Sequence, residues 1–398
     1  MKYCIIVPDG MADYPIDKLG GRTAVEAART PFLDFLAQNG QLGLVRTIPG
    51  GFPAGSDVAN LTLLGYSPRE YYSGRAPLEA ASIGIHLNDS DWAFRCNFVT
   101  ATEDTLEDFC AGHIKTDEAT VLIKLLNEKL GNDIIQFYTG KSYRHVMVYK
   151  GTQKMDARCF PPHDIMGQSI QKHLPKGNGS EILIDLMEHS RVYLSNHDIN
   201  KIRIDLEENP ANMIWLWGQG HRPKMPTFKE RFHLTGAVIT AVDLIKGIAC
   251  YLGWDIIQVP GVTGYLDTNY ANKGAYAIKA LETHDMVLVH VEAPDEAGHE
   301  GNVHEKVLAI EQVDSKIIGP LLEAKNRFRE LRILVLPDHY TPIIKQTHTS
   351  ESVPFAAYGT GIEKGIGLPY SENNAQASGL HIKEGHRLIE HLISGTFR

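Results

Sequence analysis

Seven side chains able to hold divalent metal ions, or to be activated by them, lie far apart in this chain in five short clusters. Asp9 sits in Val-Pro-Asp-Gly, Ser56 in Gly-Ser-Asp, and Asp295 with His299 in Asp-Glu-Ala-Gly-His; Asp338 adjoins His339, and His348 follows. Carboxylate and imidazole donors together suit Mn²⁺ or Zn²⁺, and suit Mg²⁺ alone less well. Two such ions hold phosphoryl oxygens, stabilise developing negative charge and lower the pKa of a bound hydroxyl. Ser56 supplies a hydroxyl. One cluster alone means little, because an Asp after a strand often caps a helix and a lone His is often a hydrogen-bonded core or surface group. The ordered set predicts a two-metal phosphoryl-transfer enzyme.

These residues need elements to deliver them. Tyr3 to Val7 is a compact β-prone run that ends at Pro-Asp-Gly, so it reads as a buried strand carrying Asp9 into a loop. Met213–Trp217, Met286–Val291 and Ile333–Pro337 have the same character, and the last leads directly into Asp338 and His339. Asp295 and His299 are four residues apart and share a face if their segment is helical. Gly55 permits a sharp turn, and the apolar residues after Ser56 begin a helix, so Ser56 falls near a helix N-terminus. The plain reading is an N-cap. The chemical reading is a nucleophile whose phosphorylated form is stabilised by helix N–H groups, and the preceding glycine, which a cap does not need, favours it.

Helical patterns over Ala237 to Leu252 and Glu305 to Leu322, and a helix opened by Thr30-Pro31 and closed near Asn39-Gly40, alternate with the apolar runs. The expected core is α/β, a largely parallel sheet covered by helices on both faces. Residues 88–179 differ: the strands there, such as Trp92–Val99 and Arg144–Tyr149, are shorter and more amphipathic. The expected division is a core in two parts, 1–87 and 180–398, interrupted by an inserted α+β domain at 88–179. At 398 residues the chain is longer than one hydrophobic core usually spans. Trp215 and Trp217 alternate beside Leu216 and read as core packing, and Gly218 to His221 reads as a turn.

The net charge of −9 argues against a general polyanion binder, so no nucleic-acid partner is expected, while leaving room for a small anionic substrate in a local cationic pocket. Five widely spaced cysteines without a Cys-x-x-Cys pair read as reduced thiols. The first apolar run is too short for a signal peptide and no stretch approaches a membrane span, so a soluble cytoplasmic protein without membrane partners is expected.

Seven segments in order carry a resemblance over essentially the whole chain: residues 7–13, 53–61, 74–81, 161–165, 290–301, 336–339 and 347–355. They resemble the archaeal-type branch of cofactor-independent phosphoglycerate mutase, within the alkaline phosphatase superfamily. The resemblance implies an alkaline-phosphatase-like core with a smaller inserted domain that closes over a small phosphorylated substrate. It implies a phosphoserine formed on Ser56, with the glycerate reorienting to take the phosphoryl group back on its other hydroxyl. One metal would be held by Asp295, His299 and His348, the other by Asp9, Ser56, Asp338 and His339. The expected ions are Mn²⁺, with Mg²⁺, Zn²⁺ or Co²⁺ as substitutes.

Arg95, Arg144, His163, Asp164 and Lys273 fall in segments that resemble the family's. The arginines are expected to fork onto phosphate or carboxylate, Lys273 to bind substrate, and His163 with Asp164 to shuttle a proton. Tyr340 departs from the small residue or proline expected beside the metal-site histidine. A bacterial subgroup of similar length has been proposed as a homoserine kinase, and a metal-dependent phosphatase would use the same groups. The chain has no P-loop or Gly-rich nucleotide loop.

Overall fold

The computed structural model describes residues 1–397. The chain forms two compact units, one built from Met1–Tyr72 and Met225 onward, the other from Ser73–Lys224. The strands in chain order are β1 (Lys2–Pro8), β2 (Gln41–Val45), β3 (Trp92–Ala101), β4 (Leu106–Asp108), β5 (Ile135–Lys141), β6 (Arg144–Tyr149), β7 (Met213–His221), β8 (Gly236–Ile239), β9 (Asp255–Ile256), β10 (Met286–Val291), β11 (Leu331–Val335), β12 (Val353–Gly359) and β13 (His381–Ile382).

In the first unit eight strands form one sheet in the order β13-β2-β12-β11-β1-β10-β8-β9. β1 runs parallel to both β10 and β11, with Val7 opposite His290 and Ile6 opposite Val335. β8 and β9 continue the parallel set, whereas β12 is antiparallel to β11 and β2. Cys4–Val7, Met286–Val289 and Ile333–Val335 are buried throughout. Such strands need cover on both faces, which is why their sequences do not alternate. On one face Cys4, Ile6, Val287, Val289 and Ile333 pack against Leu33, Ala277, Leu281, Ile310 and Val313 from the helices Pro31–Asn39, Tyr270–Thr283 and Val303–Val313.

The second unit is an antiparallel sheet, β4-β3-β6-β5, with β7 also paired along β3. The helices Thr116–Lys129 and Ser180–Leu194 supply Leu122, Leu126, Leu183 and Met187 to its main core. Ala76 and Ala80 of the helix Arg75–Ser82 pack on Ala93, Val146 and Val148.

Three expectations are corrected here. The second unit spans 73–224, not 88–179, because the helices Arg75–Ser82 and Ser180–Leu194 bury their apolar faces in it. Met213–Trp217 belongs to this antiparallel sheet and not to the parallel core: with helices on both sides, β7 lost the alternation that would have marked it. Ala237–Leu252 is not one helix. Gly236–Ile239 is β8, parallel to β10, and the helix begins only at Asp243. Glu305–Leu322 does lie in helical structure, through a π-turn at Asp314–Ile318. At the start of the helix Pro31–Asn39, Thr30 makes no side-chain cap; Asp314 from that π-turn accepts from the backbone N–H of Leu33 at 2.7 Å instead. Among the described residues no helix is long and apolar enough to cross a membrane.

Candidate metal centre and its surroundings

Because β1, β10 and β11 are adjacent and parallel, their carboxyl ends open on one edge of the sheet, where open α/β folds place their ligands. Asp9 follows β1 directly, and its backbone N–H donates to Val291 O at 2.9 Å, tying it to the end of β10. The helix Ala293–His299 starts just after β10 and sets Asp295 and His299 on one face, as their spacing predicts. Asp338 and His339 follow β11 after Leu336 and Pro337. Ser56 is the first residue of the helix Ser56–Leu63, with Gly55, not Ser56, at the cap position. Its hydroxyl is thus free of capping and lies 3.1 Å from His339 Nε2.

The donors fall into two groups, Asp295 with His299 and His348, and Asp9 with Asp338 and His339. In the first, His299 Nε2 is 3.3 Å from Asp295 Oδ2 and His348 Nε2 is 3.4 Å from Oδ1, and the two imidazole nitrogens are 2.9 Å apart. The side chains of His299 and His348 are 37% and 23% exposed, so this group opens to solvent. In the second, His339 Nε2 is 3.4 Å from Asp9 Oδ1 and 3.6 Å from Asp338 Oδ2, and all three residues are buried. Gly10 makes the closeness possible. Its φ is +56°, and a Cβ there would lie 2.5 Å from Asp295 Oδ1 and 2.4 Å from Thr341 Oγ1.

The electrostatics fit two dications. Burial, then the charges of Asp338 and Asp295, raises the Asp9 carboxyl well above the usual range. Burial opposes ionisation of Asp338 and Asp295 as well, yet the histidines beside them hold both below it. Asp9 Oδ1 and His290 Nε2 are buried without a hydrogen-bond partner. Buried polar atoms seldom stay orphaned, and here they face the same cluster. Carboxylate oxygens and imidazole nitrogens crowded this closely form a donor set that a divalent ion would complete.

A shell of fixed contacts orients the donors. Asp338 Oδ1 accepts from the N–H groups of Gly10 and His339 at 3.2 and 3.0 Å, and its Oδ2 accepts from Asn60 Nδ2 at 2.9 Å. His299 Nδ1 lies 3.0 Å from Gln346 O, which turns Nε2 toward Asp295 and His348. His290, at the end of β10, has Nε2 3.5 Å from Asp9 Oδ2 and Nδ1 3.3 Å from Glu292 Oε1. Burial lowers the affinity of His290 for a proton, but Asp338 and Glu292 outweigh it and lift its pKa to about 9. Glu292 is paired in turn with Lys273 at 2.9 Å.

Lys273 therefore does not stand where substrate could meet it. It is fully buried, donating to Glu292 and, at 2.7 Å, to His290 O. The expected substrate role is corrected to a structural one behind the metal donors. Tyr340 is also buried, its ring 6.0 Å from Tyr14, so the residue that departs from the family pattern packs inward.

His163, Asp164, Arg95 and Arg144 belong to the second unit. There Glu79 holds Arg95 Nε at 2.8 Å and Arg75 Nε at 3.3 Å, and the Arg95 guanidinium stacks 4.2 Å from the Trp217 ring. Trp217 is thus more than core packing, since the His163 ring also meets it edge-on at 5.3 Å. Burial, then the Arg75 and Arg144 charges, pushes Arg95 down to about 10 although Glu79 supports its charge. Burial and the charges of Arg95 and Arg75 lower the His163 pKa against the pull of Asp164, 3.7 Å away. Two guanidinium groups thus share the single carboxylate of Glu79. His221 is spent structurally, bonded to Asp91 O with its ring tilted against Trp92 at 3.7 Å.

Sequence reasoning passed over Asn60, Thr341, His290, Glu292, Arg75 and Glu79. Asn60 was legible as the residue one turn after Ser56. Thr341, Glu292 and His290 lie two, three and five residues from a named ligand, but nothing in their types distinguishes them from ordinary loop and strand polar groups.

Two outcomes follow from this geometry. Substituting Lys273→Met strands Glu292 in the interior and should cost about 3–5 kcal/mol in urea unfolding, the range for breaking a buried ion pair; an unchanged unfolding midpoint would return Lys273 to an exposed role. The hydrogen bond from His299 to Asp295 holds its pKa at about 9, so at lower pH a metal must displace a proton. Affinity for Mn²⁺ measured calorimetrically should therefore rise about tenfold per pH unit between about pH 6 and 8, and a pH-independent affinity would contradict ligation by His299.

Comparison with known proteins agrees with the geometry. Residues 37–200 match the family model described as 2,3-bisphosphoglycerate-independent phosphoglycerate mutase. The chain is 50% identical over 395 residues to a protein of that name from Methanosarcina barkeri, covering 99% of each, and 49% identical to a probable one from Geobacter sulfurreducens, covering 99% of this chain and all of the other. A solved structure of the cofactor-independent phosphoglycerate mutase from Thermoplasma acidophilum is 27% identical with a TM-score of 0.68 and 99% of each chain covered, and the structure of a Pyrococcus horikoshii protein is 28% identical with a TM-score of 0.82, covering 99% of this chain and 96% of that one. Near-complete coverage at half identity leaves one conclusion: the chain belongs to the 2,3-bisphosphoglycerate-independent phosphoglycerate mutase family.

Proposed function

We propose that this protein interconverts 3-phosphoglycerate and 2-phosphoglycerate, without added bisphosphoglycerate, by passing the phosphoryl group through Ser56. The observation that carries this reading is the uncapped Ser56 hydroxyl at a helix N-terminus, 3.1 Å from His339 within the Asp9–Asp338–His339 donor group. Asp9, Ser56, Asp338 and His339 would hold one divalent ion, and Asp295, His299 and His348 would hold the other. When bound, the ions lower the pKa of the Ser56 hydroxyl and neutralise charge on the phosphoryl oxygens. We assign Mn²⁺ to both sites on the mixed oxygen and nitrogen donors.

The chain's own groups supply the rest. Ser56 Oγ gives up its proton and forms a bond to phosphorus as the substrate's ester oxygen leaves, and the departing alkoxide takes up one proton, so the step is proton-neutral. The reverse step moves the phosphoryl group to the other hydroxyl of the same glycerate. N–H groups at the start of the Ser56–Leu63 helix favour the anionic phosphoserine. Arg95 and Arg144 recognise the carboxylate or phosphate, with Glu79 fixing the Arg95 head and leaving its remaining N–H groups to fork onto an anion. His163, with a pKa held below that of a free imidazole and Asp164 beside it, moves the proton between the glycerate hydroxyls. The five unpaired cysteines fit a place in the reducing cytoplasm, in a glycolytic step. Tyr340 packs inward and gives the kinase alternative no pocket residue of its own.

The test is phosphorus NMR of the Mn²⁺-loaded protein with 3-phosphoglycerate alone. The 2-phosphoglycerate resonance should appear without free phosphate, and Ser56→Ala should lower turnover at least a thousandfold, on the order lost with an activated nucleophile. Free phosphate as sole product would make the protein a phosphatase, and undiminished turnover by the alanine variant would end the serine mechanism.

A further inference from the structure

The two donor groups meet at one hydroxyl that neither uses as a ligand. Thr341 is fully buried, two residues past His339. Its Oγ1 donates a short hydrogen bond to Asp295 Oδ1, in the first group, and lies 3.2 Å from Nδ1 of His339, in the second. Proton inventory settles the directions. The Asp295 carboxylate only accepts, so the single hydroxyl proton of Thr341 goes there. The Thr341 oxygen must then accept from His339 Nδ1–H. That places the proton of the neutral imidazole on Nδ1 and leaves Nε2, which faces Asp9 and Ser56, with its lone pair free.

The surroundings hold Thr341 in that position from every side. Lys306, fully buried and paired with Asp13 at 2.8 Å, donates to Thr341 O at 2.8 Å. Two glycines make room for the side chain: a Cβ at Gly10 would lie 2.4 Å from Thr341 Oγ1, and one at Gly298 would lie 2.8 Å from Thr341 Cγ2. The isosteric Val would fill this space equally well but offer neither bond.

Resting on the two-metal reading above, we propose that Thr341 is the positioning residue that couples the two metal sites. It fixes the tautomer of His339 and the rotation of the Asp295 carboxylate through one hydroxyl, so that both sites depend on it although it binds neither ion. A partner outside the ligand set typically changes metal affinity by about 10–100-fold, and that effect is ordinarily confined to the site it touches. Here a single substitution should reach both.

The experiment is Mn²⁺ titration of wild type, Thr341→Ser and Thr341→Val, following the electron paramagnetic resonance signal of free Mn²⁺, with circular dichroism confirming the fold. Wild type should bind two ions. The serine variant should keep both affinities within about threefold, and the valine variant should lose about 10–100-fold at both sites. Loss at one site only, no loss in the valine variant, or equal loss in the serine variant would each overturn the coupling role. Binding of fewer than two ions by wild type would instead refute the two-metal reading, and the proposal with it.

Discussion

Three buried aspartates, Asp9, Asp295 and Asp338, converge at the carboxyl ends of three adjacent parallel strands. At an effective dielectric of about 20, two unit charges 4 Å apart repel by about 4 kcal/mol. Neither an arginine nor a lysine is paired with these three carboxylates among the described residues. Their near neighbours are imidazoles, which are also the side chains best suited to share a divalent ion with carboxylates. The fold thus concentrates acidic groups that the neighbouring imidazoles balance in part and that divalent ions bound at this edge would balance further, and much of the surrounding structure serves to hold that arrangement.

The lysines nearest the cluster are kept one layer back. Lys273 neutralises Glu292, which stands behind His290, and Lys306 neutralises Asp13, which lies beside the loops carrying Asp9 and His339. Both lysines are fully buried, and both also bond backbone carbonyls next to the donors, His290 O and Thr341 O. A buried ion pair is seldom a net source of stability. Here each pair fixes a loop's position near the donors without placing a competing positive charge among them. Gly10 and Gly298 do the complementary task, leaving the space in which Thr341 and Asp295 meet.

The candidate metal donors were legible in the sequence because strand order and helix spacing are local signals. Asp9 and Asp338 end apolar runs, Asp295 and His299 are one helical turn apart, and the Gly55-Ser56 pair marks a helix start. What stayed hidden depended on three-dimensional neighbours. Lys273 looks like a cation free for substrate until β10 is seen to lie against its helix and bury it. Met213–Trp217 looks like a parallel core strand because helices on both sides of an antiparallel sheet erase its alternation. The second unit began and ended outside its expected limits for the same reason: Arg75–Ser82 and Ser180–Leu194 are amphipathic helices whose sequences do not say which sheet they cover. Thr341 could not be singled out, since a threonine two residues past a ligand is unremarkable until both of its partners are known.

The central claim is that the phosphoryl group rests covalently on Ser56 during turnover. Rapid acid quench of the Mn²⁺-loaded protein with 3-phosphoglycerate, followed by peptide mass mapping, tests it directly. The account predicts the mass increment of one phosphoryl group on the peptide containing Ser56, absent from the Ser56→Ala protein. Turnover without that increment, or with it on a different residue, would contradict the account.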